Sequence, residues 1–253
     1  MKLTVLGSNA SSPSRTNPAS GYLVEIEGVT ILMDAGPGIF MKLSEIVDPG
    51  SLGAVVVSHT HIDHCSDVLA LFAYMAFGPS GPTPIPVYAP EGTREHLAAF
   101  ARAGVDDVFD QVLEFKEMRP GDGAQIGTAH VTFGEAMHPV PALVTRFDVG
   151  PGSLVYSGDT GPGGDLAQLA NGASMLLCEA SFQGIRDTKT PDYHLTAADA
   201  GDLASWAGVE ELVITHIPEN LDPVLSVEQA AGAFAGPVRY AAPGAVFEIT
   251  TTR

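Results

Sequence analysis

Four side chains able to hold a metal ion or a proton fall within six residues of this sequence: His59, His61, Asp63 and His64, in "SHTHIDHC". The run follows "LGAVVV", an apolar stretch that reads as a strand buried on both faces, and such a strand can deliver polar groups only where it leaves the core. His59 and His61 alternate, so an extended backbone points both imidazoles the same way. Asp63 and His64 then turn the chain and offer ligand atoms from another angle. Neutral imidazoles and a carboxylate suit zinc and similar divalent ions. A solvated turn has no reason to gather three of the chain's eight histidines in so short a span.

Further donors follow other apolar runs. His138 comes after "VTFGEAM", Asp159 after "LVYSG" and His216 after "ELVIT". Any one of them alone would pass for a structural or surface residue, but several strands ending in ligand atoms is how a sheet edge builds a shared site. Cys65 adjoins His64 and reads as a small buried side chain rather than a ligand.

The elements that must position these residues alternate β-branched runs with Ala-rich stretches. Strands are expected at "LTVLG", "GYLVEIE", "VTILMDAG", "AVVVSH", "PIPVYAP", "HVTFGEAM", "SLVYSGDT", "SMLLCEAS", "ELVITHI" and "PVRYAA". Helices are expected at "CSDVLALFAYMAF", "EGTREHLAAFARA", "GGDLAQLANG", "TAADAGDLASWAG" and "SVEQAAGAFAG". Thr196, with Asp199 three residues on, has the form of a helix start. "GPSGPTPIP" is too rich in Pro and Gly for helix and reads as a surface loop. An internal echo bears on architecture: "TILMDAGPG" and "LVYSGDTGPG" each run from a strand through Asp (Asp34, Asp159) and one residue to Gly-Pro-Gly. Each also follows a hairpin-like strand, "GYLVEIEGV" or "ALVTRFDVGPG", so two similar β-rich halves closed by helices are expected, forming two packed sheets with helices outside.

Composition narrows the function classes. A chain of 253 residues can bury roughly 70–75% of its unfolded surface and needs no staple. Two cysteines are too few for a disulfide framework and point to a reducing, cytoplasmic setting. "MKLTVLGS" meets polar residues too early for a signal peptide, and no apolar run is long enough to span a membrane. The net charge of −18, with 12 basic against 30 acidic residues, argues against a broad phosphate-binding surface and hence against a nucleic-acid polymer as partner.

The order His59-x-His61-x-Asp63-His64, His138, Asp159, His216 resembles the metallo-β-lactamase-fold hydrolases over essentially the whole chain. The resemblance implies an α/β fold, a four-layer αββα sandwich of two similar halves, in a single domain over 1–253. It also implies two divalent ions, Zn2+ with Mn2+ or Fe2+ as alternatives. His59, His61 and His138 would hold one, Asp63, His64 and His216 the other, and Asp159 would bridge them, with a bridging hydroxide as nucleophile. "LGSNASSPSRTNPASGYLVE", the stretch from "LVYSGDTG" to "LLCEAS", and "YHLTAADAG" are similar to the ribonuclease Z and phosphodiesterase branch. The last of these implies that His194 stands over the metals as a histidine outside the ligand set, placed to protonate the leaving alkoxide. Glu179 would orient it, so Asp63, His194 and Glu179 are the catalytic candidates.

One departure matters. The transfer-RNA-processing members carry a long arm between the third ligand motif and the bridging Asp, whereas only twenty residues separate His138 from Asp159 here. What remains is similar to the small armless phosphodiesterases, including actinobacterial enzymes acting on cyclic nucleotides. The expected substrate is therefore a small anionic phosphodiester, foremost a 3′,5′-cyclic nucleotide. Ribonuclease Z-like RNA 3′ processing and a metal-bound binding protein with little turnover are the alternatives, and a homodimer is open. Asp34 is expected to support the site by hydrogen bonding, His96 to lie on a solvated helix face, and His130 to begin a strand. Phe72, Tyr74 and Phe77 are expected in the core, with the Phe72–Phe77 helix or the "GPSGPTPIP" loop available to cover a base.

Overall fold

The computed structural model describes residues 1–78, 83–101 and 105–250. Two seven-stranded sheets pack face to face, and they share one plan. The first has the order β14-β1-β2-β3-β4-β5-β6 and the second β13-β12-β11-β10-β9-β8-β7. In the first are β1 (Lys2–Gly7), β2 (Gly21–Ile26), β3 (Val29–Met33), β4 (Ala54–Val56), β5 (Ile85–Pro90), β6 (Leu113–Met118) and β14 (Val246–Glu248). The second holds β7 (Gly123–Ile126), β8 (Ala129–Glu135), β9 (Leu143–Val149), β10 (Gly152–Tyr156), β11 (Met175–Glu179), β12 (Glu211–Thr215) and β13 (Val238–Tyr240). In each sheet an antiparallel hairpin (β2–β3, β9–β10) leads into parallel strands. Strand for strand, β1 to β6 repeat as β8 to β13, with β14 and β7 on the corresponding edges. The two echoed Asp-x-Gly-Pro-Gly runs follow the equivalent strands β3 and β10.

The strands alternate between two apolar layers because each sheet is covered on both sides. Leu3, Val5, Tyr22, Val24, Ile31, Met33, Leu154, Tyr156, Leu177 and Val213 face the layer between the sheets. Leu6, Leu23, Leu32 and Val55 face outward into a second cluster with α1 (Ile39–Ser44), α3 (Val68–Phe77), α4 (Thr93–Ala101) and α5 (Val105–Val112). Val155, Leu176 and Leu212 do the same against α6 (Leu166–Ala170), α7 (Ala197–Ala207) and α8 (Pro223–Ala233). The order helix, sheet, sheet, helix is the expected sandwich. No described helix is long and apolar enough to cross a membrane.

Several boundaries differ from expectation, each for a local reason. The helix expected from Cys65 to Phe77 is two: a single turn, α2 (Ile62–Cys65), and then α3. Helix α8 starts earlier than its Ala-rich core because Asp222 caps it through the Val224 N–H with Pro223 in the first turn. Helix α7, by contrast, starts where expected, with Thr196 as its cap in a reciprocal capping box with Asp199. The strands β6, β7 and β14 escape the pattern because they are sheet edges with exposed polar positions. Residues 79–82 of the "GPSGPTPIP" loop and 102–103 of the expected "EGTREHLAAFARA" helix lie outside the described residues.

Strands β1, β3, β4 and β5 run in one direction, as do β8, β10, β11 and β12 in the second sheet. Their carboxyl ends open on one edge of the sandwich, where α/β sheets gather ligands.

Candidate metal centre

Each candidate ligand stands just beyond a carboxyl end. The chain leaves β4 at Val56 and reaches His59 three residues later; His61 caps α2, whose single turn carries Asp63 and His64. Strand β8 leads to His138, β10 through Ser157 and Gly158 to Asp159, and β12 directly to His216. His216 has φ 53°, a left-handed conformation that a non-glycine residue adopts only where its surroundings impose it.

The donors converge in two groups that share Asp159, each with its ligand atoms within 4.8 Å of one another. In the first, His61 Nδ1 lies 3.1 Å from His59 Nε2 and 3.0 Å from His138 Nε2, with Asp159 Oδ2 3.8 Å from His59 Nε2. In the second, His216 Nε2 lies 3.3 Å from His64 Nε2 and 3.2 Å from Asp63 Oδ2. Asp159 Oδ1 faces that second group, 3.2 Å from His64 Nε2 and 3.4 Å from His216 Nε2. One carboxylate thus turns one oxygen to each group.

The donor set fits divalent ions. His64 Nδ1 is 2.7 Å from Asp34 Oδ2 and His138 Nδ1 is 3.2 Å from the Tyr193 carbonyl oxygen. Both partners only accept, so each Nδ1 carries the hydrogen and each Nε2 turns a lone pair inward. Lone pairs and carboxylate oxygens at these separations repel unless a cation lies among them. Asp159 Oδ1 is accordingly a buried oxygen with no hydrogen-bond partner. Burial and the neighbouring His64 push the His59 pKa well below its usual value, and burial also lowers that of His138, which leaves both neutral as ligands must be. Burial acts in the same direction on His64, yet the carboxylates of Asp159 and Asp34 outweigh it and raise its pKa, so the local field calls for positive charge. Burial would raise Asp63 and Asp159, but His216 and His64 hold both below the carboxylate range.

A second layer of hydrogen bonds fixes this arrangement. Fully buried Asp34 accepts from Ser58 N, Ser58 Oγ, Tyr156 OH and His64 Nδ1, all at 2.7 Å. Fully buried Glu179 accepts from Thr160 N at 2.8 Å, from Ser181 N and Oγ, and from His194 Nδ1 at 2.9 Å. The His194 ring centre is 5.4 Å from that of His138 and 6.0 Å from that of His216. Glu179, His194 and His216 form a third close group, in which Glu179 already accepts four hydrogen bonds. Ser11 N donates to Asp63 Oδ2 at 2.8 Å. Sequence reading missed Ser11, Ser58, Ser181 and Tyr156; the one signal for the last three was their place beside an expected ligand or acid at a strand end.

The remaining candidates lie elsewhere. Cys65 is buried with its thiol directed to the Thr60 carbonyl. Phe72 packs in the core beside Phe109, whereas Phe77 is 76% exposed, contrary to the core placement expected of it. Tyr74 donates to Asp48. His96 and His130 are exposed on α4 and β8. The cavities that reach the site are walled by other residues. One, of about 260 Å³, lies against His194, His216, Ser181, Phe182, Ser11 and Asn220. Another, of about 360 Å³, lies against His138 with Met118, Arg119 and Val140.

A family model described as the beta-lactamase superfamily domain matches residues 29–217. An uncharacterized protein of Mycobacterium leprae is 34% identical over 98% of this chain and 89% of its own. Ribonuclease Z of Mycolicibacterium gilvum is 30% identical over 88% of this chain and 86% of its own. The crystal structure of the metallo-beta-lactamase fold protein YhfI from Bacillus subtilis matches with a TM-score of 0.87 at 26% identity, covering 97% of this chain and 98% of that one.

Proposed function

This chain belongs to the beta-lactamase superfamily and is a metal-dependent hydrolase, and we propose that within it the protein is a dinuclear phosphodiesterase of a small substrate, a 3′,5′-cyclic nucleotide. The observation that carries this reading is the pair of donor groups sharing Asp159, with a non-ligand histidine held beside them by a buried acid. Two divalent ions in those groups, zinc being the best match to the His/Asp donors, would acidify a shared water and offset charge on the attacked phosphorus.

The chain's own residues supply the rest. Asp63, fixed by the Ser11 N–H, is a carboxylate placed to take a proton from the attacking water. His194 holds its Nδ1–H against Glu179, so its Nε2 presents a proton to the leaving alkoxide, a step worth about 10²–10⁴ in rate. Burial lowers the His194 pKa, but the Glu179 hydrogen bond outweighs it and raises it, which keeps the acid form available near neutral pH.

The surroundings of the site favour a small substrate. The twenty residues between His138 and Asp159 are a short loop and the β9–β10 hairpin, which is paired within the sheet and leaves no protrusion to grip a folded RNA. Of the residues lining the two cavities beside the site, Arg119 alone is a Lys or Arg, and it is paired with Glu91. A polyanion needs basic residues spread over a surface, whereas a cyclic monoanion needs only the ions and His194. The relationship to ribonuclease Z keeps RNA 3′ processing as the second reading. The two free, buried thiols favour a reducing, cytoplasmic setting. Comparing kcat/KM for cyclic AMP, a precursor transfer RNA, a thioester and a lactone, with one preparation and one metal, tests the choice. Cyclic AMP should lead the panel; efficient trailer removal with negligible cyclic-nucleotide hydrolysis would restore the ribonuclease reading.

A further inference from the structure

The second layer contains the same device twice. On the first side, Ser58 Oγ donates to Asp34 Oδ2 and stands 3.1 Å from His59 Nδ1 and 3.5 Å from His64 Nδ1, while Asp34 also takes His64 Nδ1 directly. On the second side, Ser181 Oγ donates to Glu179 Oε2 and stands 2.9 Å from His216 Nδ1 and 3.4 Å from His194 Nδ1, while Glu179 takes His194 Nδ1 directly. In both, a buried acid holds one imidazole itself and a second through a serine hydroxyl.

The chemistry fixes the direction of these bonds. A serine hydroxyl has one hydrogen, and Ser181 gives it to the Glu179 carboxylate. Toward His216 it can then only accept, so His216 must carry its hydrogen on Nδ1 and turn the Nε2 lone pair to Asp63, His64 and Asp159. The two sides differ in one respect: Asp34 and Ser58 hold two candidate ligands, whereas Glu179 and Ser181 hold one candidate ligand and the proton donor.

We propose that Ser181 is a positioning residue that sets the tautomer of His216 and, through Glu179, ties the placement of His194 to the metal group His216 serves. This rests on the reading of His216 as a ligand and goes beyond it, because it assigns the coupling to a hydroxyl outside the candidate ligand groups. Deleting the hydroxyl frees the His216 ring to take either tautomer and leaves Glu179 with one donor fewer. Losing an outer partner of this kind costs about 10–100-fold in metal affinity.

The test measures divalent-ion affinity by chelator competition in the loaded full-length protein, for wild type, Ser181→Ala and Ser181→Thr. The alanine variant should lose about 10–100-fold for one ion equivalent and leave the other unchanged, and threonine, which restores the hydroxyl, should recover most of it. Wild-type affinity in the alanine variant, or an equal loss at both equivalents, would overturn the assignment. A wild type that binds no ions would instead refute the metal-centre reading beneath it. One measurement does not depend on how the variant folds. In the loaded wild type, His216 should give an exchange-protected Nδ1–H proton resonance with a nuclear Overhauser contact to the Ser181 β-protons, and absence of that contact counts against the proposal.

Discussion

Asp34→Asn tests the second layer most sharply because it changes no volume. Asp34 is fully buried, and its two oxygens accept four hydrogen bonds, one at Oδ1 from Ser58 N and three at Oδ2 from Ser58 Oγ, Tyr156 OH and His64 Nδ1. An amide can place its carbonyl on one side only. With the oxygen at the Oδ2 position three donors keep their acceptor, but the NH2 then faces the Ser58 N–H, donor against donor, across 2.7 Å. The reverse orientation sets three donors against the NH2 and is worse. The better orientation costs about 1–3 kcal/mol for the buried unpaired groups. Three charge-assisted bonds also become neutral ones of about half the strength, which brings the loss to roughly 2–4 kcal/mol. At about 2–4 °C per kcal/mol for a chain of this size, Tm should fall by roughly 4–16 °C. His64 also loses its anionic partner, so the ion held by Asp63, His64, Asp159 and His216 should bind about 10–100-fold more weakly, with a smaller effect on the other. Thermal melts and chelator titrations of the purified variant read both quantities. An Asn variant that melts within a degree of wild type and binds both ions unchanged would refute the account of Asp34 as the fixed support of His64.

Three further outcomes follow from the site. Asp159→Ala should disrupt both ion positions, since its two oxygens face separate donor groups; elemental analysis finding an unaltered ion content would remove it from the bridging role. His194→Ala should keep its ions yet lose about 10²–10⁴ in kcat on a ribose alkoxide leaving group, with a smaller loss on an activated nitrophenolate, and equal losses on the two would count against proton donation. The pH profile should respond to Glu179. With the Glu179 charge present the His194 pKa is raised, so the alkaline limb of kcat/KM belongs above the ordinary histidine value of about 6.5. Glu179→Gln leaves burial as the dominant influence, and that limb should move to lower pH; a limb that stays in place would assign it to another group.

The convergence of the candidate donors was legible because metal-binding side chains are scarce, and a scarce residue directly after an apolar run announces a strand end opening on a crevice. The supporting layer was much less so. Ser58 and Ser181 belong to a common residue type whose hydroxyl acts at short range, and nothing in their spacing says which imidazole they will meet. The echo of two Asp-x-Gly-Pro-Gly runs marked equivalent strands but hid a difference of register. Asp34 follows β3 at once, whereas Ser157 and Gly158, the latter at φ 56°, intervene between β10 and Asp159. Those two residues carry the second carboxylate into the donor groups, while the first stays behind as an acceptor. The aromatic residues of α3 misled in the other direction, because a strongly apolar helix carries no sign of which edge ring faces out, and Phe77 faces solvent.

The shared strand plan also gives the site a division of labour. Strand β4 delivers His59, and its equivalent β11 ends in the supporting acid Glu179. Strand β10 delivers Asp159, and its equivalent β3 is followed by the supporting acid Asp34. Strand β8 leads to His138, and its equivalent β1 leads to Ser11, whose N–H fixes Asp63. At these three pairs one half places a donor in the metal groups and the other places a group that orients one. A buried imidazole can be held for a cation only if its far nitrogen has an acceptor, so every inward donor creates a demand for an outward partner within about 3 Å. Two sheets packed face to face, with their carboxyl ends on one edge, bring both populations within that reach. Each half grips its own imidazoles from behind, Ser58 and Asp34 holding His59 and His64 in the first and Ser181 and Glu179 holding His216 and His194 in the second, and the packing of the two edges brings the front nitrogens together around Asp159.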